Sequence, residues 1–275
     1  MPITRRLKLM DTRKHFPRPR PISNGIGKTV VVALGGSIAY KEAEIDVSFL
    51  RKFNVFLRQE IKRGKKFVVV IGGGHLARFF QKAVQDIKKS LPDEEKDWIG
   101  IHATRMNAQL LRAILKDIAD PVVFDSRGKM KRLKHPVTIA SGWRPGWSTD
   151  FVAAAIAHDL GIKEFVVAGK PAYVYPVRGP AYRQAGAKGS QRASASNGMY
   201  SLDMKHPFLK LSWGAYRRMI PAKWIPGFHS PVDPVAARLA HSARMQAVII
   251  NGKDLKNFRN LLNGKGFRGT IIGAD

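Results

Sequence analysis

The chain has 275 residues, 44% of them hydrophobic, no cysteine, and 48 Lys+Arg against 20 Asp+Glu, for a formal net charge of +28. That length supports one large α/β domain or two smaller ones with a real core, while the missing cysteines exclude disulfides and Cys-ligated zinc. No apolar run approaches the ~18 residues of a membrane-spanning helix, and the basic start MPITRRLKLMDTRKHFPRPRP lacks the apolar centre of a secretory signal, so a cytoplasmic location is expected, with an organelle matrix as the variant.

Residues 1–28 hold eight basic residues against Asp11 and read as a Pro/Arg-rich tail. The alternation that follows is of strands and helices: TVVVAL (29–34), a helix over 46–64, FVVVI (67–71), a helix over 75–89, and a helix over about 98–117 on the stripe Ile99, Met106, Leu110 and Ile114. Strands near 121–124 and 137–140 precede a helix at 150–160, and EFVVA (164–168) is a further strand. A helix at about 233–243, the strand QAVII (246–250), a helix at about 254–262 and a final GTII close the chain. This pattern predicts an α/β fold, a three-layer αβα sandwich on a mainly parallel sheet. It places one domain over 29–275, with halves at 29–162 and 163–275. Residues 170–218 hold nine basic residues against Asp203 and are read as carrying a basic loop over 176–210. Its Gly/Ser/Ala-rich centre, 179–198, has too little apolar content for a core.

Three strand ends run into small residues: GGS (35–37), GGG (72–74) and SGWRPG (141–146). At the carboxyl edge of an open sheet such residues let backbone N–H groups and helix starts approach phosphate, so the three together point to one phosphate-binding crevice. Two familiar motifs fail. GIGKT (25–29) has Ile22 where a P-loop needs glycine and leads into a strand; GGGHLA lacks the G-x-G-x-x-G spacing and the acid that follows it in dinucleotide folds.

VVALGGS (31–37), VVVIGGGHLAR (68–78), DWIGIHATRMNAQLL (97–111), SGWRPGWSTDFVAAAIA (141–157), VDPVAARLA (232–240) and GTII stand in an order that resembles the amino-acid kinase family, and within it the archaeal and bacterial uridylate (UMP) kinases. The resemblance implies ATP-dependent phosphorylation of UMP in a homo-oligomer, hexameric in relatives, with Mg²⁺ carried by the phosphates and no protein metal site. The acceptor half would be 29–162 and the ATP side 163–275. It further implies that Gly35, Gly36, Gly73 and Gly74 cradle phosphates, Gly36 at the catalytic centre. Arg78 would meet a phosphate at that centre, and Asp97 would accept from the nucleoside. Thr104, Arg105 and Asn107 would line the same helix, Thr149 would bond the acceptor phosphate, and Asp150 would organise the reacting charges. On the donor side it implies Gly35, Gly36, Ser37, Lys170 and Tyr175. The apolar, aromatic face of 49–57, with Phe49, Phe53 and Phe56, would serve that assembly or simply the core.

The chain departs from the family in two places. Ala33 stands where many members carry Lys before the GGS, and KPAYVY (170–175) has Ala172 and Tyr173 where relatives have Asp and Gly. The excess charge therefore supports a second reading, a decayed UMP-kinase fold bound to RNA or a ribonucleoprotein. In that reading Tyr173, Tyr182, Trp213 and Tyr216, beside basic residues, would stack on bases.

Overall fold

The computed structural model describes residues 26–88, 90–130, 132–178, 201–202, 205–223 and 230–274. In chain order the strands are β1 (Thr29–Leu34), β2 (Tyr40–Lys41), β3 (Glu44–Ile45), β4 (Lys66–Ile71), β5 (Ala119–Phe124), β6 (Val137–Ala140), β7 (Glu164–Gly169), β8 (Val177–Arg178), β9 (Ser201–Leu202), β10 (Lys210–Ser212), β11 (Gln246–Asn251) and β12 (Thr270–Gly273). The helices are α1 (Val47–Lys62), α2 (Gly74–Ile87), α3 (Asp93–Ile114), α4 (Thr149–Asp159), α5 (Trp213–Met219), α6 (Pro234–Ser242) and α7 (Leu255–Leu262), with a 3-10 turn at Gly36–Ile38.

Eight strands form one sheet in the order β10-β12-β11-β7-β1-β4-β6-β5. Neighbours from β11 to β5 are parallel, β12 runs antiparallel to β11, and β10 is parallel to β12. Both faces are covered, which is why the strand runs are almost continuously apolar. Val30, Val32 and Leu34 pack with Phe53 and Phe56 of α1, Leu111 of α3 and Phe258 of α7. Val31 and Ala33, on the opposite face, pack with α4, with Trp213 and Tyr216 of α5, and with Ala236 and Ala240 of α6. The chain builds rightward from β1 to β4 and leftward from β7 to β11, so the β1/β7 boundary is where the winding reverses and where an open sheet leaves its crevice.

The helix starts follow local chemistry. Asp46 caps α1 by accepting from Phe49 N at 2.9 Å, and Ser148 caps α4 by accepting from Phe151 N at 3.0 Å. The third helix begins at Asp93 rather than near 98, because Asp93, Glu94 and Glu95 put three carboxylates in a first turn that favours negative charge. Its core face also differs from the expected stripe. Ile101, Ala108 and Leu111 are buried, whereas Met106 is 65% exposed.

Of the two readings of the 49–57 face, the core is the one found: Phe49, Phe53 and Phe56 are all buried there, stacked along α1. The basic stretch around 210–219 is β10 and α5, not loop: Trp213 and Tyr216 are interior, Trp213 Nε1 donates to Met245 O at 2.7 Å, and Tyr216 Oη donates to Val232 O at 2.7 Å. Tyr173 is buried as well, so these three rings are unavailable to bases; Tyr182 and residues 179–198 lie outside the described residues. The domain packs from Ile26, three residues before the expected boundary, with Ile26 buried and Lys65 Nζ donating to its carbonyl at 2.5 Å. Residues 1–25 of the expected tail lie outside the described residues. Among the described residues no helix is long and apolar enough to cross a membrane.

Candidate functional site

The turns after β1 and β4 extend the sheet by one more rung on each side: Gly35 N donates to Ala168 O at 3.0 Å and Gly72 N to Leu34 O at 2.9 Å. Beyond that rung the two turns touch backbone to backbone. A Cβ on Gly36 would lie 2.3 Å from Gly72 O and Gly74 N, and one on Gly72 would lie 2.7 Å from Gly36 N. Gly74 also has φ +61, so no other residue satisfies this approach without strain.

Three helix starts gather at this edge: the 3-10 turn at Gly36, α2 at Gly74 and α4 at Thr149. The first N–H groups of a helix have no partner within it and carry its positive dipole end, so converging helix starts suit an anion. Thr149 belongs to it directly, since its Oγ1 would be 3.6 Å from a Cβ on Gly72. Gly73 sits against α3, where a Cβ would lie 3.2 Å from Gly100 O. Ser37 is part-buried in the 3-10 turn. Arg78 is exposed in the second turn of α2, with no carboxylate partner among the described residues.

The polar residues of α3 brace these turns. Asn107 is buried; its Nδ2 donates to Gly72 O at 2.8 Å and Gly73 O at 3.1 Å, and its Oδ1 accepts from Tyr40 Oη at 2.7 Å. Thr104 is buried, donating to Ile101 O at 2.6 Å and accepting from Gly142 N at 2.8 Å. Asp97 accepts from Gly146 N at 2.8 Å and so ties α3 to the turn between β6 and α4. Arg105 is part-exposed and 4.0 Å from Asp125. In that turn Arg144 lies over the Trp147 ring at 4.2 Å, and Trp147 meets Phe151 at 4.6 Å.

Asp150 stands in the first turn of α4, within electrostatic reach of Asp233 at the start of α6. Its carboxyl is pushed well above the usual carboxylate range by burial and then by the nearby charge of Asp233. Asp233 is raised too, mainly by burial, although it caps α6 by accepting from Val235 N at 2.7 Å and Ala236 N at 3.1 Å. Ser148 Oγ donates to the same carboxyl, so the caps of α4 and α6 are joined.

The half expected to face ATP is built around β7 and β11. Gly252 N donates to Gly169 O at 2.8 Å, and a Cβ on Gly252 would lie 2.8 Å from Ala168 O. Lys170 has an exposed side chain, and its carbonyl accepts from Asn251 Nδ2 at 3.0 Å. Tyr175 is buried with its ring centroid 6.0 Å from that of Tyr173, and burial raises its hydroxyl pKa. Ala33 is buried among apolar side chains.

The sequence reading did not single out Tyr40, Asp233 or Gly252. Asp233 had a usable signal, an Asp-Pro pair opening an apolar helix; Tyr40 had none, because its partner is 67 residues away.

The amino acid kinase family profile matches residues 28–175. The chain belongs to the amino acid kinase family. It is 31% identical to the uridylate kinase of Thermococcus sibiricus, over 88% of this chain and 98% of that one. It is 28% identical to the uridylate kinase of Methanocorpusculum labreanum, over 89% and 95%. Among solved structures, uridylate kinase from Archaeoglobus fulgidus superposes with TM-score 0.66 at 24% identity, covering 90% of this chain and all of that one. UMP kinase from Bacillus anthracis gives 0.64 at 18%. In this phosphotransferase of the amino acid kinase family, side chains of α3 hold the backbone of the glycine turns in place.

Proposed function

We propose that this chain is a UMP kinase that transfers the γ-phosphoryl group of ATP to UMP. The observation that carries the proposal is the mutual contact of Gly36, Gly72 and Gly74 beneath Thr149, which leaves helix starts as the surface met by phosphate. Relatives named uridylate kinase that span nearly their whole length on this chain support the choice of acceptor. A UMP phosphate oxygen forms the new bond to the γ-phosphorus as the bond to the β–γ bridging oxygen breaks, releasing ADP and UDP. Catalysis of such a transfer is positioning and charge stabilisation.

In this reading the N–H groups of Gly35, Gly36 and Ser37 hold the donor phosphates. Gly73, Gly74, Arg78 and the Thr149 hydroxyl hold the acceptor phosphate, and Asp97 accepts from the nucleoside. Thr104 and Asn107 act through the turns they brace, and Asp150 sets α4 against α6. Lys170 supplies a cation for ATP, and the buried Tyr175 and Tyr173 rings wall the nucleotide segment. Mg²⁺ bound to the phosphates would offset their charge.

The test is UDP formation from UMP and ATP·Mg²⁺ on nuclease-treated, high-salt-washed protein. Thr149→Val keeps the shape and removes the hydroxyl; it is expected to raise KM for UMP about tenfold, the scale of one charge-assisted hydrogen bond. Wild-type protein that binds UMP and ATP but forms no UDP overturns the proposal.

A further inference from the structure

Between α5 and α6 lies a cavity of about 300 Å³, lined by Arg217 and Arg218 of α5, Arg238 of α6, and the apolar surfaces of Ile220, Pro221 and Pro234. None of its lining residues belongs to the glycine turns, and none is acidic.

Several described arginines elsewhere find carboxylates: Arg58 with Asp117 at 2.7 Å, Arg127 with Asp159 at 2.7 Å, and Arg259 with Glu60 at 2.7 Å. Those around this cavity do not. Arg218 and Arg238 are exposed and have no acidic partner among the described residues, and Arg217 meets the His241 ring at 3.1 Å, which brings no negative charge. Cations in the last turn of a helix are favoured by its dipole, which accounts for Arg217 and Arg218 on α5. It does not account for Arg238, which sits in the middle of α6, one turn after Pro234 on the same side of the helix. Like charges gathered on one concave surface repel unless an anion joins them.

The shape narrows the anion. A volume of 300 Å³ is at the lower end of small-molecule pockets, enough for a compact group and too small to enclose a strand. Guanidinium forks bind phosphate oxygens in pairs, and the apolar floor lowers the local dielectric, which strengthens those contacts.

We infer that the α5–α6 cavity is a second anion site, for a compact polyphosphate such as pyrophosphate or the triphosphate of a nucleotide. This inference is independent of the phosphoryl-transfer reading, because binding there requires neither UMP nor turnover.

The test is calorimetric titration of the full chain with inorganic pyrophosphate. Three proteins are compared: wild type, Arg218→Ala/Arg238→Ala, and Arg51→Ala/Lys52→Ala, which removes the same charge from exposed positions on α1. Pyrophosphate held at the glycine turns persists in all three and sets the baseline. One binding class should weaken at least about tenfold in the cavity variant and less than about threefold in the charge-matched control, as expected when paired charge contacts outweigh net charge. Equal weakening in both variants assigns the effect to the overall field and overturns the site. So does a wild type with a single binding class that both variants retain. A cavity variant that loses affinity for a single-stranded RNA 12-mer while keeping both pyrophosphate classes also overturns it, since the arginines would then serve a strand-binding surface.

Discussion

The amide of Asn107 is engaged at both ends, by Tyr40 Oη and by the carbonyls of Gly72 and Gly73. Asn107→Leu keeps the volume and leaves those buried groups unpaired, so a destabilisation of about 2–4 kcal/mol in urea is expected, the sum of one to two unsatisfied groups. UMP affinity should fall with it, because the glycine turn loses its brace. Unchanged stability with lost UMP binding would instead make Asn107 a direct ligand. The glycines differ among themselves in the same way. A Cβ on Gly36 would be 2.3 Å from backbone atoms, whereas one on Gly35 would meet nothing closer than 3.4 Å. Gly35→Ala is therefore expected to fold and retain activity within a few-fold, and Gly36→Ala to lose soluble, active protein; equal behaviour in expression and assay removes the close-approach account. The glycines were legible as a set, since three strand ends broke at small residues. Their unequal roles were not, because which backbone atom meets which depends on β1 and β4 being neighbours.

At the scale of elements, α4 and α6 are joined by the Ser148–Asp233 hydrogen bond, with the carboxyl of Asp150 nearby. Both carboxyls are raised by burial, and Asp150 further by Asp233. A carboxyl whose pKa is higher folded than unfolded stabilises the fold fully below the unfolded value, near 4, and that contribution is lost as pH rises through the raised folded value. Asp150→Asn removes this titration while keeping a polar side chain in the first turn of α4. The thermal midpoint of wild type should therefore fall relative to Asp150→Asn as pH is raised from about 4 to 8; a constant offset across that range would show that the pair does not titrate there. The element pattern shows where sequence signals suffice. Asp46 and Ser148 precede amphipathic or apolar runs and cap helices in the expected places. α5 was hidden because Arg217 and Arg218 advertise a basic loop, while the residues that bury it, Trp213 and Tyr216, are only two aromatics in a short helix. In α3 the periodicity was correct but the phase was not, since the buried face includes the polar Thr104 and Asn107.

For the whole molecule, the expected oligomer has to form against the repulsion of copies that each carry +28. Its contact is therefore expected to be apolar, and α2 offers one: the helix has no buried residue, with Phe79 59%, Phe80 51% and Ile87 87% exposed. Met106 of α3, the helix against which α2 packs, is 65% exposed as well. Exposed apolar surface of this kind, with Phe79 and Phe80 ring to ring, favours an interaction face, and a second copy presenting the same helix would cover Phe79 and Phe80 with their own counterparts. Salt screens the repulsion and leaves the apolar term, the Debye length falling from about 14 Å at 0.05 M to about 4 Å at 0.5 M. Sedimentation is thus expected to give multiples of 30.6 kDa that persist or grow with salt, and Phe79→Asp/Phe80→Asp is expected to sediment as a monomer at both concentrations. A wild type that is monomeric throughout would leave α2 without a partner copy. A double variant that still assembles would move the contact away from α2, and the apolar face would then need another occupant.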